Sequence, residues 1–537
     1  MPDKEETPRA PIAGTVDAVV VGAGFGGIYM IHRLREAGFS VQGIEAGGGV
    51  GGTWYWNRYP GARCDVPSLL YSYSFSEELL NEWRWSEKYS PQPEILEYAN
   101  FVAGKFGVKS AYLFNTRVTR ATFDEVTERW TVETELDDRF QARFCIMATG
   151  CLSVPKEPDI KGHETFKGEK YVTGRWPHEP VDFTGKRVAM IGTGSSSIQS
   201  MPLIAQQATR VTVFQRTPNY SLPAKNTPLT DKEVEDWKVG FPAYKELLRQ
   251  GNLGVPQPPP GWEPNVEELR ALAPNLWNGQ GLLSLTVLPN LMRDEKVNDV
   301  AAEYVRDKIR ETVKDPALAE KLVPRSFPIG SKRCCVDTDY YESYNRDNVE
   351  LVDINEAPIS EITATGVIAG GKEYPVDAIV FATGFDAMTG ALLKMDIRGR
   401  DGQSLGEAWA HGPKTYLGLQ VAGFPNLFTI TGPGSPSVLS NMITSCEQHV
   451  DWIADALTYL RKSNYNVIEA TDAAQEAWVA HVNEEGDRTL FPRANSWYVG
   501  ANVPGKPRVF MPYVGEGYKI RCDAIAANGY EGFALSA

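Results

Sequence analysis

The chain has 537 residues and a formal charge of −14, with 54 Lys and Arg against 68 Asp and Glu. That length exceeds one ordinary core and predicts two or three domains, and the acidic balance argues against nucleic acid as a partner. The polar start MPDKEETPRAP lacks the apolar stretch of a secretory leader, and no apolar run is long enough to span a bilayer. Seven scattered cysteines with no CxxC predict reduced thiols in a cytoplasmic protein, and six histidines without ligand spacing predict no protein-held metal.

Residues 15 to 22, TVDAVVVG, have the apolar, β-branched character of a buried parallel strand. They lead into Gly22-Ala23-Gly24-Phe25-Gly26-Gly27, the helical pattern IYMIHRLREAG, and a second strand, SVQGIE, ending at Glu45. The spacing predicts a complete βαβ dinucleotide unit. In it Gly22 makes the tight turn, Gly24 admits a pyrophosphate, Gly26 belongs to the same turn and Gly27 lets helix and strand pack closely. The helix N-terminus offers free N–H groups to the phosphates, and Glu45 is placed to accept from a ribose hydroxyl.

The next stretch, Gly51 to Asp65, combines glycines, Trp54, Tyr55, Trp56, Tyr59, two arginines and a final acid. Its composition suits neither helix nor regular strand. A surface loop can have the same make-up; its place directly after the βαβ unit puts it near the dinucleotide. Later, ARFCIMATG reads as a strand stopping at Ala148-Thr149-Gly150, small residues that let a ligand approach the strand end.

A second unit begins at Gly185: the strand KRVAMIG, the turn Gly192-Thr193-Gly194-Ser195-Ser196-Ser197, the helix IQSMPLIAQQA and the strand TRVTVFQR. Ser197 stands where the third glycine is expected. The second strand ends in Arg216, not an acid, and an arginine there can bind a 2′-phosphate. This makes the second unit an NADP site and the first an FAD or NAD site; the alternative is a surface arginine after a structural unit.

Residues 223 to 327 predict a mainly helical insertion. PQPPPGW, Pro256 to Trp262, is a stiff extended piece. Val297, Val300, Ala301, Tyr304, Val305, Ile309 and Val313 define one apolar helix face, ended by Asp315-Pro316. Lys332-Arg333 follows, a basic pair that composition alone reads as solvated. The adjacent Cys334 and Cys335 read as buried free thiols, since vicinal disulfides are strained. VDAIVFATGFD repeats the strand-ATG signature at Ala382-Thr383-Gly384. Residues 385 to 537 carry no dinucleotide motif, contain a helix near 444 to 461, and must complete an earlier domain.

The motifs resemble the type I Baeyer–Villiger monooxygenases, in the phenylacetone and steroid monooxygenase subgroup, over essentially the whole chain. Gly51-Gly52-x-Trp54-x4-Tyr59-Pro60-Gly61-x3-Asp65 fits the family's GGxWxxxxYPGxxxD pattern. Phe166, Gly168 and Trp176 match the second fingerprint, FxGxxxHxxxW/Y, with Val172 at its histidine position. GPGSPSVLSNM (432 to 442) and NSWYVGANVPGKPRVFM (495 to 511) also resemble the subgroup.

The resemblance implies an α/β fold of two Rossmann-like dinucleotide-binding domains, for FAD and NADP, with a helical insertion. The FAD domain would span 1–151 and 384–537, the NADP domain 152–222 and 328–383, and the insertion 223–327. It implies NADPH- and O2-dependent oxidation of ketones to esters or lactones through a C4a-peroxyflavin, with sulfoxidation as a further activity, by a cytoplasmic monomer. Carried over by residue, Arg333 resembles the arginine beside the peroxyflavin and Asp65 its acid partner. Thr53, Trp54, Tyr71, Val118 and Met442 join the first fingerprint as flavin contacts. Lys332, Arg216 and Thr217 resemble the 2′-phosphate contacts, Thr193, Gly194, Ser195, Ser196, Ser197 and Gln199 the pyrophosphate loop, and Trp497 a mobile-loop contact to the nicotinamide nucleotide. Val66, Cys151, Leu152, Ser437, Val438, Leu439 and Met442 match substrate-pocket positions. Alternatives are an S- or N-oxidising flavin monooxygenase, or a catalytically weakened flavin/NADP-binding redox protein. A disulfide reductase lacks its redox cysteine pair.

Overall fold

The computed structural model describes residues 9–249 and 261–537, so Pro256 to Pro260 of the proline-rich stretch lie outside the described residues. The first sheet is built on β1 (Ala13–Val21), whose apolar run places Ala18, Val19 and Val20 wholly out of solvent. β1 pairs in parallel with β2 (Val41–Ile44), which pairs with β3 (Tyr112–Leu113). On its other side it pairs with β6 (Arg139–Met147), and the antiparallel β4 (Val118–Asp124) and β5 (Arg129–Thr134) extend the sheet. Being buried on both faces, β1 needs no polar alternation, which is why it reads as a continuous apolar run.

The second sheet is wholly parallel, in the order β12-β9-β8-β16-β7. Its strands are β7 (Glu169–Val172), β8 (Arg187–Ile191), β9 (Arg210–Gln215), β12 (Val349–Asp353) and β16 (Ala378–Phe381). Between them in the chain, β10 (Ser221–Pro223) pairs with β11 (Cys335–Asp337). β13 (Ile359–Ile362), β14 (Gly366–Ala369) and β15 (Lys372–Pro375) form a small antiparallel sheet. Val172 closes β7 beside Phe381 and packs partly buried against a core containing Phe166, Ile191 and Phe214. Trp176 stacks on Tyr171 at 5.1 Å.

The chain then returns to the first sheet. β17 (Asp396–Arg398) pairs with β4, and β18 (Leu427–Thr429) pairs with the end of β6. The helix Met442–Ser463 lies against the helix Phe25–Glu36, with Tyr29 and Arg33 bonded to Asp451 at 2.8 and 2.9 Å.

The 223–327 stretch forms the helices Asp231–Arg249, Val266–Leu272, Glu295–Thr312 and Pro316–Leu322. Val297, Ala301, Val305 and Ile309 sink into the same core as Val188 and Met190 of β8. At roughly 1.5–3 kcal/mol for each fully buried large aliphatic side chain, that shared core ties the helices to the second sheet. Asp315 caps Pro316–Leu322 instead of merely ending the preceding helix. The aromatic stretch departs from its irregular reading: Thr53–Trp56 make one helical turn. Gly51 and Gly52, at φ 126° and 54°, steer the chain into it, and Asn57 Nδ2 closes it on the Thr53 carbonyl at 2.9 Å. Among the described residues, no helix is long and apolar enough to cross a membrane.

Candidate active site

The two ATG segments and the two glycine turns meet in the same way. A Cβ on Gly22 (φ 107°) would come 2.4 Å from the Ala148 carbonyl oxygen, and one on Gly192 (φ 112°) 2.4 Å from that of Ala382. Each first glycine is thus demanded by the strand end beside it. Gly27 is a packing position, where a Cβ would stand 1.9 Å from the Gly22 carbonyl oxygen. Its counterpart Ser197 is fully buried and its hydroxyl has no partner.

The helices Phe25–Glu36 and Ser195–Gln207 both begin without a side-chain cap, at Gly24 and Gly194. Both glycines line one cavity of about 1090 Å³. Free N–H groups at two helix starts suit two pyrophosphates. Beside Gly194 a Cβ would meet nothing within 4 Å, leaving open room where a phosphate can lie.

On the first side, Glu45 accepts from the amides of Ala23 and Gly47, each at 2.7 Å. Burial pushes its carboxyl up, and the two amides oppose the shift. Gly26, Glu45, Thr53, Trp54, Tyr71, Val118 and Met442 line the cavity, with Trp54 Nε1 donating to the Tyr71 hydroxyl at 3.1 Å. On the second side Thr193, Ser195, Ser196, Gln199, Arg216, Thr217, Lys332 and Trp497 line it, whereas Gly27 and Ser197 lie behind it. Thr193 Oγ1 donates to the Thr217 carbonyl at 2.7 Å, tying the glycine turn to the end of β9. Gln199 reaches from the second glycine turn's helix to the aromatic loop: Oε1 accepts from the Tyr59 hydroxyl at 2.9 Å and Nε2 donates to the Arg63 carbonyl at 3.0 Å.

Between the two sides stands Arg333. Its Nε and Nη2 donate to Asp65 Oδ2 and Oδ1 at 2.8 and 2.6 Å, and Nη1 donates to the Val438 carbonyl at 2.8 Å. Burial is the strongest influence and works against the guanidinium charge, but Asp65 together with Tyr498 and Cys64 outweighs it and holds the pKa above its ordinary value. The pairing of β10 with β11 fixes the height of Arg333, since the Cys335 amide bonds the Tyr220 carbonyl at 3.0 Å. Lys332 lies over the Phe327 ring at 4.6 Å, and burial, then Arg216, lowers its pKa.

Val66, Cys151, Leu152 and Val438 line the cavity next to this pair, but Ser437 and Leu439 do not. The short turn Ser437–Leu439 points Val438 inward and Ser437 toward Met388 Sδ at 3.9 Å, while Leu439 joins the apolar packing around Val438. Several lining residues have no sequence motif. Lys156 lies six residues past the first ATG, and Asn219 three past Arg216. Ser496 and Asn502 belong to the near-C-terminal stretch, which was the available signal for them. The buried oxygens Asn219 Oδ1, Ser496 Oγ and Asn502 Oδ1 are without partners while their residues line the cavity. Together with two uncapped helix starts and the cations Arg216 and Lys332, they fit polar, anionic dinucleotides. Tyr498 is buried in the apolar cluster beside Val438; burial pushes its phenol up to about 12, and Arg333 opposes this.

The pyridine nucleotide-disulphide oxidoreductase family matches residues 19–236. A Baeyer–Villiger monooxygenase of Pseudooceanicola batsensis is 39% identical over 533 residues, covering 97% of this chain and 96% of that protein. An oxidised steroid monooxygenase bound to NADP superposes with a TM-score of 0.93 at 49% identity, covering 97% of this chain and 99% of its own. A crystal structure of OTEMO in complex with FAD and NADP gives a TM-score of 0.92 at 41% identity, covering 98% of this chain and 100% of its own. With similarity of this extent and level, the chain belongs to the Baeyer–Villiger monooxygenases and is an NADPH-dependent flavin monooxygenase with FAD and NADP domains.

Proposed function

We propose that Arg333 is the fixed charge at the reacting centre, that Asp65 holds it there, and that ketones and O2 are the co-substrates, giving esters or lactones. The observation that carries this reading is the two-point Arg333–Asp65 pair in a cavity shared by both glycine turns. FAD and NADPH, when bound, supply the hydride and the activation of oxygen. An arginine stays protonated under all ordinary conditions, so Arg333 presents permanent positive charge to the negative charge that develops on oxygen as the ketone carbonyl is attacked. Fixed charge in a dry site is worth about 3–4 kcal/mol per donor. Asp65 and the Val438 carbonyl orient the guanidinium, so no reorganisation is needed when that charge appears.

In this reading, Gly22, Gly24, Gly26, Glu45, Thr53, Trp54, Tyr71, Val118 and Met442 seat FAD, with Gly27 supporting the turn. Thr193 to Ser197, Gln199, Arg216, Thr217, Lys332 and Trp497 seat NADPH. Val66, Cys151, Leu152 and Val438 face the ketone, with Ser437 and Leu439 backing them. The domain division is 1–151 with 384–537 for FAD, 152–222 with 328–383 for NADP, and 223–327 inserted, in a cytoplasmic monomer. The apolar pocket walls also admit thioethers, and sulfoxidation is proposed as a secondary activity. The test is NADPH-dependent turnover of aryl, cyclic and steroidal ketones in 18O2. Esters or lactones carrying one labelled oxygen support the reading; oxidation of thioethers and amines alone would refute it.

A further inference from the structure

Three cations face the second dinucleotide unit without a carboxylate. Arg63, Arg175 and Arg333 line the same cavity, and each is paired, with Glu87, Glu157 and Asp65 respectively, while Arg117 and Lys394, beside β4 and β17 of the first sheet, line it without an ion pair among the described residues. Lys156, Arg216 and Lys332 make no ion pair among the described residues. Lys156 is fixed at the carboxyl end of β16: its amide donates to the Gly384 carbonyl at 2.9 Å, and Thr383 Oγ1 donates to its carbonyl at 3.2 Å. Its ammonium donates to the Asn502 carbonyl. Arg216 follows β9, and β8 lies between β9 and β16. Lys156 and Arg216 therefore flank the Gly192–Ser197 turn from either side, with backbones about two strand spacings, roughly 10 Å, apart.

Gathering like charges around a half-buried cavity is unfavourable unless an anion joins them. Burial, then the charge of Arg216, lowers the pKa of both Lys156 and Lys332. Asp386 and Asp159 act the other way on Lys156, but Lys506 already holds the Asp386 carboxylate at 2.6 Å. We propose that Lys156 is a third phosphate-binding cation of the nucleotide site, contacting either the 2′-phosphate or the pyrophosphate of NADP(H). The proposal rests on the assignment of the second unit to NADP(H). Because the same ammonium holds Asn502, in the stretch that carries Trp497, it also joins phosphate recognition to the seating of that stretch.

The test separates charge from packing. Lys156→Gln keeps N–H donors for the Asn502 carbonyl and loses the charge; Lys156→Arg keeps the charge. Binding of NADP+ and NAD+ to the purified, FAD-loaded protein is measured by calorimetry at two salt concentrations. The proposal expects Lys156→Gln to weaken NADP+ by about five- to tenfold and to flatten the salt dependence, with Lys156→Arg within about twofold of the parent. Loss confined to NADP+ assigns the 2′-phosphate, and equal loss for both nucleotides assigns the pyrophosphate. Unchanged binding in Lys156→Gln overturns the proposal, as does equal weakening in both variants. If the parent itself fails to bind NADP+, it is the nucleotide assignment that falls.

Discussion

Arg333 and Asp65, 268 positions apart in the chain, meet through two hydrogen bonds of 2.8 and 2.6 Å, with side chains only 24% and 19% exposed. The aromatic loop that ends at Asp65 thus delivers the anchor for a cation carried next to the second sheet. Removing Asp65 takes away the carboxylate and two of the guanidinium's hydrogen bonds, leaving that cation with the Val438 carbonyl and Tyr498 and with little water to compensate. Asp65→Ala is expected to cut ester formation by roughly 10²-fold, the size of one lost preorganised charge contact. NADPH oxidation should persist as peroxide leakage, so the ratio of ester to NADPH consumed is the quantity to measure.

Gly194 offers a cleaner separation of folding from binding than Gly27. A Cβ at Gly27 would overlap the Gly22 carbonyl oxygen at 1.9 Å, whereas one at Gly194 meets nothing within 4 Å. Gly194 also has an ordinary φ of −82°. Gly194→Ala is therefore expected to fold and retain FAD, with a melting temperature within about 2 °C of the parent. Its methyl would occupy phosphate space and weaken NADP+ by about tenfold or more. Gly27→Ala is expected to lose FAD. Flavin content and NADP+ titration on both variants check the contrast.

The Tyr59–Gln199 bond of 2.9 Å joins the flavin-side loop to the helix Ser195–Gln207 of the second unit. Tyr59→Phe removes one donor and leaves the partly buried Gln199 oxygen without it, a loss of about 1 kcal/mol. The variant should show a modest rise in the KM for NADPH and a lower ester yield per NADPH, with kcat for NADPH oxidation nearly kept. Stopped-flow flavin reduction at saturating NADPH distinguishes this from general damage.

His449 supplies a pH prediction. Its Nδ1 accepts from the Thr431 amide at 2.9 Å, its Nε2 lies 2.9 Å from the Tyr518 hydroxyl, and burial lowers its pKa from 6.5 to about 3. The unfolded chain takes up a proton near pH 6.5 and the folded chain does not until about pH 3. Stability from this group is complete above the unfolded value and declines as pH falls, by about 1.4 kcal/mol per unit. His449→Asn should be less stable at pH 7 yet lose less stability between pH 7 and 5 than the parent, as read by thermal unfolding at the two pH values.

Much of this arrangement is legible from spacing alone. The glycine turns, the strands around them, the two strand-ATG endings and Arg216 are local signals, whereas the contact of each ATG end with the first glycine of a turn emerges only from the fold. The apolar face from Val297 to Val313 predicts a helix, but only packing reveals that it shares a core with β8. The helical turn Thr53–Trp56 escapes composition because two glycines with positive φ start it. Ser437 and Leu439 fall behind the pocket wall because a short turn decides which of three successive side chains faces inward. Lys156, Gln199's bridge to Tyr59 and the Asn502 contact are long-range relations, invisible to any window of sequence. Arg333–Asp65 is long-range too, and family resemblance alone pairs those two residues before the structure does.

The central claim is that Arg333 serves the oxygen-transfer step and not flavin reduction. The most direct test is Arg333→Ala, with the two half-reactions followed separately. Anaerobic reduction of the flavin by NADPH is expected to remain within about tenfold of the parent, while ester or lactone formation falls by 10²-fold or more. Ester yield matching the parent in that variant would contradict the account.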